Sequence, residues 1–199
     1  MDNAIKEFKG DNAFLSNFYV APVIYEGIRF ENSEAAFQAA KCPERMREFC
    51  GLSPQAAKRL GRRVEMRPDW ETVKYDVMYQ VCMAKFTQNP DLLEKLLATG
   101  DAELVEGNTW GDKVWGVCDG IGENNLGKTL MRIRSEQKMS SLNGKRVRVV
   151  DNGKIRYGII ISSLTKEETD KCSMFGQLIK AKMDDTEQDE EFTYGWSIV

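Results

Sequence analysis

Histidine is absent from this chain of 199 residues. That absence removes Ser-His-Asp and Cys-His catalysis, HExxH metalloproteases and the zinc site of nucleobase deaminases, each of which needs an imidazole. Acid–base chemistry must then come from Asp, Glu, Lys, Tyr or Cys. The five cysteines, Cys42, Cys50, Cys82, Cys118 and Cys172, are odd in number and include no CxxC pair. That spacing argues against a zinc site or a disulfide framework and suits small buried hydrophobes. No apolar run approaches the roughly 20 residues that cross a bilayer. The opening MDNAIKEFKGDN has no basic stretch followed by an apolar one, so a cytoplasmic protein without metal or cofactor is expected. Strong charge of one sign is missing too. The 28 Lys and Arg against 31 Asp and Glu leave a net charge of −3, too little positive charge for a long grip on nucleic acid. Recognition of one modified nucleotide or an end is not excluded.

What is present suits a globular chain: 42% hydrophobic and 30% charged residues, enough for one large domain or one domain with a small module. Residues 14 to 31 are aromatic and β-branched around Tyr25-Glu26-Gly27 and predict a short hairpin. Asn32 or Ser33 then caps a helix through Lys41. Pro43 opens a short second helix to Gly51, and Ser53-Pro54 starts one to about Arg63. Asp69 caps the longest helix, Trp70 to Phe86, and Asn89-Pro90 begins another, with Leu92, Leu93, Leu96 and Leu97 inward. Glu106 to Asn125 has little periodicity and holds two tryptophans and five glycines in twenty residues. A loop of that length inside a compact domain tends to be functional. A helix follows with Leu126, Leu130 and Ile133 on one face. Beyond Met139 the pattern turns to strands: 145–150, a turn at Asp151-Asn152-Gly153, IRYGIII, then 174–181 and 192–198 around an acidic DDTEQDEE loop. The expected organisation is a mainly α domain at 1–138 and a small antiparallel β module at 139–199.

Glu34, Gln38 and Lys41 recur at i, i+4 and i+7, one stripe of a helix. On spacing alone an ordinary solvated face is the preferred reading of such a stripe, with Glu34 and Lys41 complementing the helix dipole. Lys58, Arg59, Arg62, Arg63 and Arg67 place five cations in ten residues, either a solvated face or a phosphate contact suited to the guanidinium fork. Trp70 and Trp115 can stack on a planar ring or pack in the core. Asn17 and Asn124 can orient ribose hydroxyls or serve a turn and a helix cap.

The stripe sits in a longer pattern. Ser16-Asn17-Phe18, then Gly27, then Ser33-Glu34-Ala35-Ala36-Phe37-Gln38-Ala39-Ala40-Lys41 resembles the opening signature of the NADAR family. The resemblance runs on through Gly61-Arg62, Arg67, Trp70, Met78, Lys85-Phe86, Leu104-Val105-Glu106, Asp112 with Trp115-Gly116, and Gly122, Asn124, Leu126-Gly127, Leu130-Met131 and Arg134. It covers about residues 8 to 136 in order. Two departures are Ala35, where the family often has His, and Asp119, in a glycine loop of differing length.

The resemblance implies an orthogonal multi-helix NADAR domain with a short N-terminal hairpin, handling NAD- and ADP-ribose-related molecules. It implies N-glycosidic cleavage of an ADP-ribosylated base, such as a modified guanine in nucleic acid, or of a ribosylated riboflavin-pathway intermediate. Glu34 and Lys41 are the expected catalytic pair. Substrate contacts are expected at Ser16, Asn17, Phe18, Gln38, Arg62, Arg67, Trp70, Trp115, Gly116, Asp119 and Asn124. The chemistry fits these residue types: breaking the bond builds positive charge on ribose C1, which a buried carboxylate stabilises while activating water. Lys41 would hold Glu34 ionised, assist the leaving group, or attack C1 of the opened sugar as an amine. The alternative from another class is a non-catalytic sensor that holds NAD or ADP-ribose. The β module is read as accessory packing, with partner binding and self-association as its alternatives.

Overall fold

A computed structural model of the chain describes residues 3–141, 143–151, 154–163, 179–185, 189–192 and 196–198. The chain divides into two compact units, Met1–Arg134 and Ser135–Val199.

The first unit mixes helix and strand. Strand β1, Ala4–Ile5, precedes a 3-10 helix at Gly10–Leu15. The hairpin predicted over 14–31 begins later, at β2 (Val20–Tyr25), and returns in β3 (Ile28–Asn32). Phe14 and Leu15 instead end the 3-10 helix, and the Lys85 ammonium holds the turn that follows by donating to the backbone oxygens of Phe14 and Ser16 at 2.5 and 2.8 Å. In β2 the burial alternates, Ala21, Val23 and Tyr25 inward and Val20, Pro22 and Ile24 outward, as a half-buried strand requires. Glu26 and Gly27 close the hairpin with φ of 50° and 71°, positive at both central positions as a type I′ turn demands.

Helix α1, Ser33–Ala39, starts where the Asn32 side chain accepts from the Ala35 N–H at 2.8 Å. All seven of its residues are buried. The polar stripe therefore lies inside the protein, and the solvated-face reading of it fails. The helix stops two residues short of Lys41, which lies in the following turn with its N–H on the Gln38 carbonyl at 3.3 Å. Pro43–Phe49 is a 3-10 helix, where a second short helix was expected. Helix α2 is Pro54–Gly61, capped by Ser53, and α3 is the long Trp70–Gln88. Asp69 precedes α3 but makes no side-chain cap, because its carboxylate is taken by Arg67 in a two-pronged pair at 2.6 and 2.8 Å. Helix α4, Pro90–Ala98, buries Leu92 and Leu96, while Leu93 and Leu97 are half-buried.

Just before the stretch read as an aperiodic loop, β4 (Glu103–Leu104) pairs in parallel with β1, and two short strands lie within it. There, β5 (Gly107–Asn108) pairs in parallel with β6 (Val117–Cys118). Each pair is two residues long, too short for hydrophobic alternation to announce it. Helix α5, Asn125–Ser140, buries Leu126, Leu130 and Ile133. The core of this unit is continuous, from Phe14 and Leu15 through Phe30 and Phe49 to Phe86 and Leu130.

The second unit is a five-stranded antiparallel sheet: β7 (Arg146–Asp151), β8 (Lys154–Ser163), β9 (Ile179–Met183), β10 (Asp189–Phe192) and β11 (Trp196–Ile198) in the order β10-β9-β8-β7-β11. Val147, Val149, Ile160, Ala181 and Met183 form its own small core. Part of the acidic segment expected as loop is strand β10, whose Glu190 receives Arg156 at 2.6 Å. The strand expected at 192–198 is two pieces, β10 ending at Phe192 and β11 beginning at Trp196. Asn152 and Gly153 of the predicted turn, residues 174–178 and Cys172 lie outside the described residues. No helix among the described residues is long and apolar enough to cross a membrane.

Candidate active site

A cavity of about 340 Å³ in the first unit gathers side chains from α1, α2, α3, the Asn17 turn and the 106–115 segment. Glu34 and Gln38 come from α1, Lys41 from the turn after it, Lys58 and Arg62 from α2 and its cap, Trp70, Glu71, Lys74 and Met78 from α3. Glu106, Trp110, Asp112, Val114 and Trp115 close the far side.

Glu34 is only 6% exposed, and its carboxylate accepts from the Gln38 amide at 2.8 Å. Burial raises its pKa; the Gln38 hydrogen bond and the cations Lys58 and Lys41 pull the other way, and Asp112 adds to the rise. The Glu34 N–H is tied to the Asn17 carbonyl at 3.1 Å, so the turn fixes the start of the helix. That turn is itself fixed by Lys85, fully buried, whose pKa burial lowers to about 8. Asn17 spends its amide on the sulfurs of α3: it donates to Met78 Sδ at 3.1 Å and faces Cys82 Sγ at 3.6 Å.

Gln38 in turn leans on Gly61. A Cβ there would lie 2.0 Å from Gln38 Oε1, so glycine leaves room for the Gln38 side chain in the conformation that reaches Glu34. Gln38 Oε1 is buried without a hydrogen-bond partner. Lys41 is half-buried, its Nζ 5.7 Å from the centre of the Trp70 ring. Burial lowers its pKa, opposed by Glu34 and reinforced by Lys58 and Arg62. The aromatic wall is one connected stack: Phe37 meets Trp70 at 5.2 Å and Trp115 at 5.3 Å, and Trp115 meets Tyr75 at 5.4 Å between ring centres.

The loop side is built from side-chain-to-backbone bonds. Asn108 donates to the Asp112 and Val117 carbonyls at 2.7 and 3.2 Å and accepts from the Asp112 N–H at 3.0 Å. Asp112 accepts from the Val114 and Trp115 N–H groups at 3.1 and 2.9 Å, which sets Trp115 against Phe37. Asn124 accepts from the Glu106 N–H at 3.1 Å and donates to the Leu104 carbonyl at 2.8 Å. Both ends of its side-chain amide are thus engaged by backbone, and it holds Glu106 in place. Glu106 is a carboxylate of the cavity that residue-type reasoning did not single out. Burial, then Asp112 and Glu34, raise its pKa to about 7, with Lys58 opposing. Only its place in the Leu104-Val105-Glu106 block marked it in the sequence.

Of the expected contacts, the cavity brings together Asn17, Glu34, Gln38, Lys41, Arg62, Trp70 and Trp115. Ser16 and Phe18 flank it indirectly: Ser16 receives Lys85, and Phe18 lies 5.5 Å beneath the Lys58 ammonium. Arg67 pairs with Asp69 and donates its N–H to the Lys41 carbonyl at 2.7 Å, so it bears on the backbone of Lys41. Gly116 allows close approach of backbone to backbone, since a Cβ there would lie 2.3 Å from the Glu106 carbonyl oxygen. Asp119 lines a separate shallow depression with Lys6 and Glu103. Among the described residues, no group of three or more Cys, Asp or Glu is arranged to hold a metal ion.

Residues 5–138 match the NADAR domain. The N-glycosidase YbiA of Escherichia coli strain K12 is 40% identical over 132 residues, 63% of this chain and 82% of its own length. A riboflavin biosynthesis protein of Vibrio vulnificus is 35% identical over 172 residues, 79% of this chain but 46% of its own, so the chain spans about half of that relative. The NMR structure of E. coli YbiA superposes with a TM-score of 0.64 at 36% identity, covering 71% of this chain and 89% of that one.

Proposed function

The chain belongs to the NADAR domain family, and on that footing we propose that it is an N-glycosidase cleaving the bond between ribose C1 and the nitrogen of an attached base. The substrate is an ADP-ribosylated base of the ADP-ribosyl-guanine type or a ribosylated riboflavin-pathway intermediate. The first is the reading taken up below. The domain is read as keeping the orthogonal helix arrangement of the family. The observation that carries the proposal is a buried carboxylate, Glu34, oriented by Gln38 in a cavity with an aromatic wall and cations at its side.

As the C1–N bond breaks, its electron pair leaves with the base and positive charge spreads over C1 and the ring oxygen. Glu34 is the group placed to stabilise that charge. Three influences favour its ionised form, whereas Glu106 has one such influence and two carboxylates pushing the other way. Burial raises the pKa of both groups; with Gln38, Lys58 and Lys41 around it, Glu34 is assigned the part of the carboxylate, and Glu106, raised to about 7, that of the acid. Glu106 gives its proton to the departing base nitrogen; Glu34 takes a proton from the water whose oxygen bonds to C1. Phe37, Trp70 and Trp115 line the site with packed aromatic surface that keeps water from it. Lys41 has two available roles, supporting the ionised Glu34 or attacking C1 of the opened sugar as an amine after losing a proton that burial loosens.

Incubating the protein with ADP-ribosyl-guanosine DNA and, separately, with a ribosylaminopyrimidine tests the reading, comparing wild type with Glu34→Ala. Free base and released sugar are expected from at least one substrate with wild type and not with the variant. Product that survives Glu34→Ala overturns the site assignment, and tight ADP-ribose binding with no product from either substrate turns the reading to a sensor. Borohydride trapping separates the roles of Lys41: no adduct on Lys41 rejects the amine route.

A further inference from the structure

Trp110 is 61% exposed, yet its side chain lines the same cavity as the buried Glu34 and Gln38. Its loop is not loose. Asn108 clamps the Asp112 backbone on both its N–H and its carbonyl, and Gly111 takes the φ of +83° that lets the turn close. The indole therefore stands in a short turn held at both ends, with most of its surface in solvent. Trp115, five residues on, does the opposite and buries its ring against Phe37 and Tyr75. Keeping a large apolar ring in water beside a cavity forgoes the burial an indole ordinarily gains, and a turn held at both ends leaves it little entropy to lose on stacking.

Size adds a second argument. A cavity of about 340 Å³ lies near the small end of ligand sites, which range over roughly 300–1,000 Å³. It suits one ribosyl unit with its attached ring. Arg62, exposed at the same cavity, and the half-buried Lys58 supply cations for phosphates leaving that unit, while Lys74 is already paired with Glu71. A substrate with a second planar ring beyond those phosphates must place it at the rim.

We propose that Trp110 is a specificity-determining residue, the rim platform on which a second nucleobase of the substrate stacks outside the cavity. The assignment rests on the reading of this cavity as a site for ribosylated bases. It makes the preferred substrate class a two-ring, phosphate-linked one rather than a single ribosylated ring.

Equilibrium binding of ADP-ribose and of ribose 5-phosphate, followed by fluorescence and calorimetry, tests it with wild type, Trp110→Ala and Trp110→Phe. Removing an aromatic platform costs stacking that corresponds to roughly tenfold in affinity per base. ADP-ribose binding is expected to weaken by about that factor in Trp110→Ala relative to ribose 5-phosphate, and to recover most of it in Trp110→Phe. Part of the fluorescence change on adding ADP-ribose should vanish in both variants. In turnover, the loss should fall in KM rather than kcat. Equal ADP-ribose affinity in wild type and Trp110→Ala, equal loss for both ligands, or no wild-type binding of ADP-ribose overturns the assignment. Failure of the enzymatic reading looks different: Trp110-dependent binding of ADP-ribose with no cleavage of either substrate.

Discussion

Helix α1 and the 106–115 segment face the same cavity and each contributes a carboxylate, but they hold it by different means. In α1 the helix ladder, begun by the Asn17 carbonyl and the Asn32 side chain, carries the backbone, and Glu34 is positioned by its neighbour one turn on, Gln38. In the segment, side chains of Asn108, Asp112 and Asn124 replace that periodic ladder and fix Glu106 and Trp115 from outside. The helix gives a carboxylate whose neighbours favour ionisation, the loop one whose neighbours oppose it. A scaffold of two kinds thus gives the two glutamates different surroundings, hydrogen-bonded and flanked by cations at Glu34, flanked by carboxylates at Glu106, which is what the proposed division of roles uses.

The largest effect should come from equalising the two. Glu34→Gln keeps the shape and the Gln38 contact but removes the charge; kcat is expected to fall by roughly 10³-fold, within the range for a group acting on the transition state. Glu106→Gln is expected to cost less, roughly 10²-fold, and to erase the limb of the rate–pH profile near 7 where Glu106 loses its proton. Equal losses with unchanged profiles would remove the division of labour.

Next in size is the loop scaffold. Asn108→Ala deletes three hydrogen bonds to backbone, each worth about 1 kcal/mol net. Stability should fall by about 2–3 kcal/mol, with hydrogen exchange rising in residues 106–118 before it rises in α1. Exchange that rises equally in both would show that the two walls are one cooperative piece.

This contrast also explains what the sequence made legible. Glu34, Gln38 and Lys41 stood out because a helix repeats every 3.6 residues, and the family blocks identified which stripe mattered. Their burial was not legible, since the polar stripe of a buried helix and that of a surface helix are written alike; only α2, packed close at Gly61, decides between them. Glu106 was hidden for the opposite reason: nothing periodic surrounds it, and the Asn124 that holds it lies 18 residues away. Lys85 was hidden too, because a lysine on α3 reads as solvent-facing until the Phe14 and Ser16 carbonyls arrive from about 70 residues upstream. In the second unit, the alternation of β7 and β8 announced the strands directly, while β10 was masked by the acidic residues that make its cross-strand ion pairs.

Glu106 gives a pH-dependent test of stability that needs no substrate. Its folded pKa of about 7 lies above the ordinary carboxylate value of 4.5. The unfolded chain therefore releases this proton first as pH rises. The stability it lends the fold is complete below pH 4.5, declines between 4.5 and 7, and is gone above 7. A shift of this size corresponds to up to about 3 kcal/mol. Glu106→Gln does not titrate, so it should gain on wild type as pH is raised from 5 to 8, with no further gain beyond. A stability difference that stays flat across that interval in urea unfolding would contradict the raised pKa.

The smallest effect should follow from Gly61→Ala, because it touches neither carboxylate. The added methyl meets the end of Gln38, which has to swing aside, and the nearby Gln38 Cβ at 3.0 Å limits how far. The global cost should be about 1–2 kcal/mol of overpacking. Its informative consequence is local: displacing Gln38 removes the hydrogen bond that favours the ionised Glu34, so the acidic limb of the rate–pH profile should move to higher pH. Gly61→Ser should do the same. A variant that loses stability without moving that limb would mean that Gln38 merely fills space beside Glu34, and the helix wall would then tune its carboxylate through Lys58 and Lys41 alone.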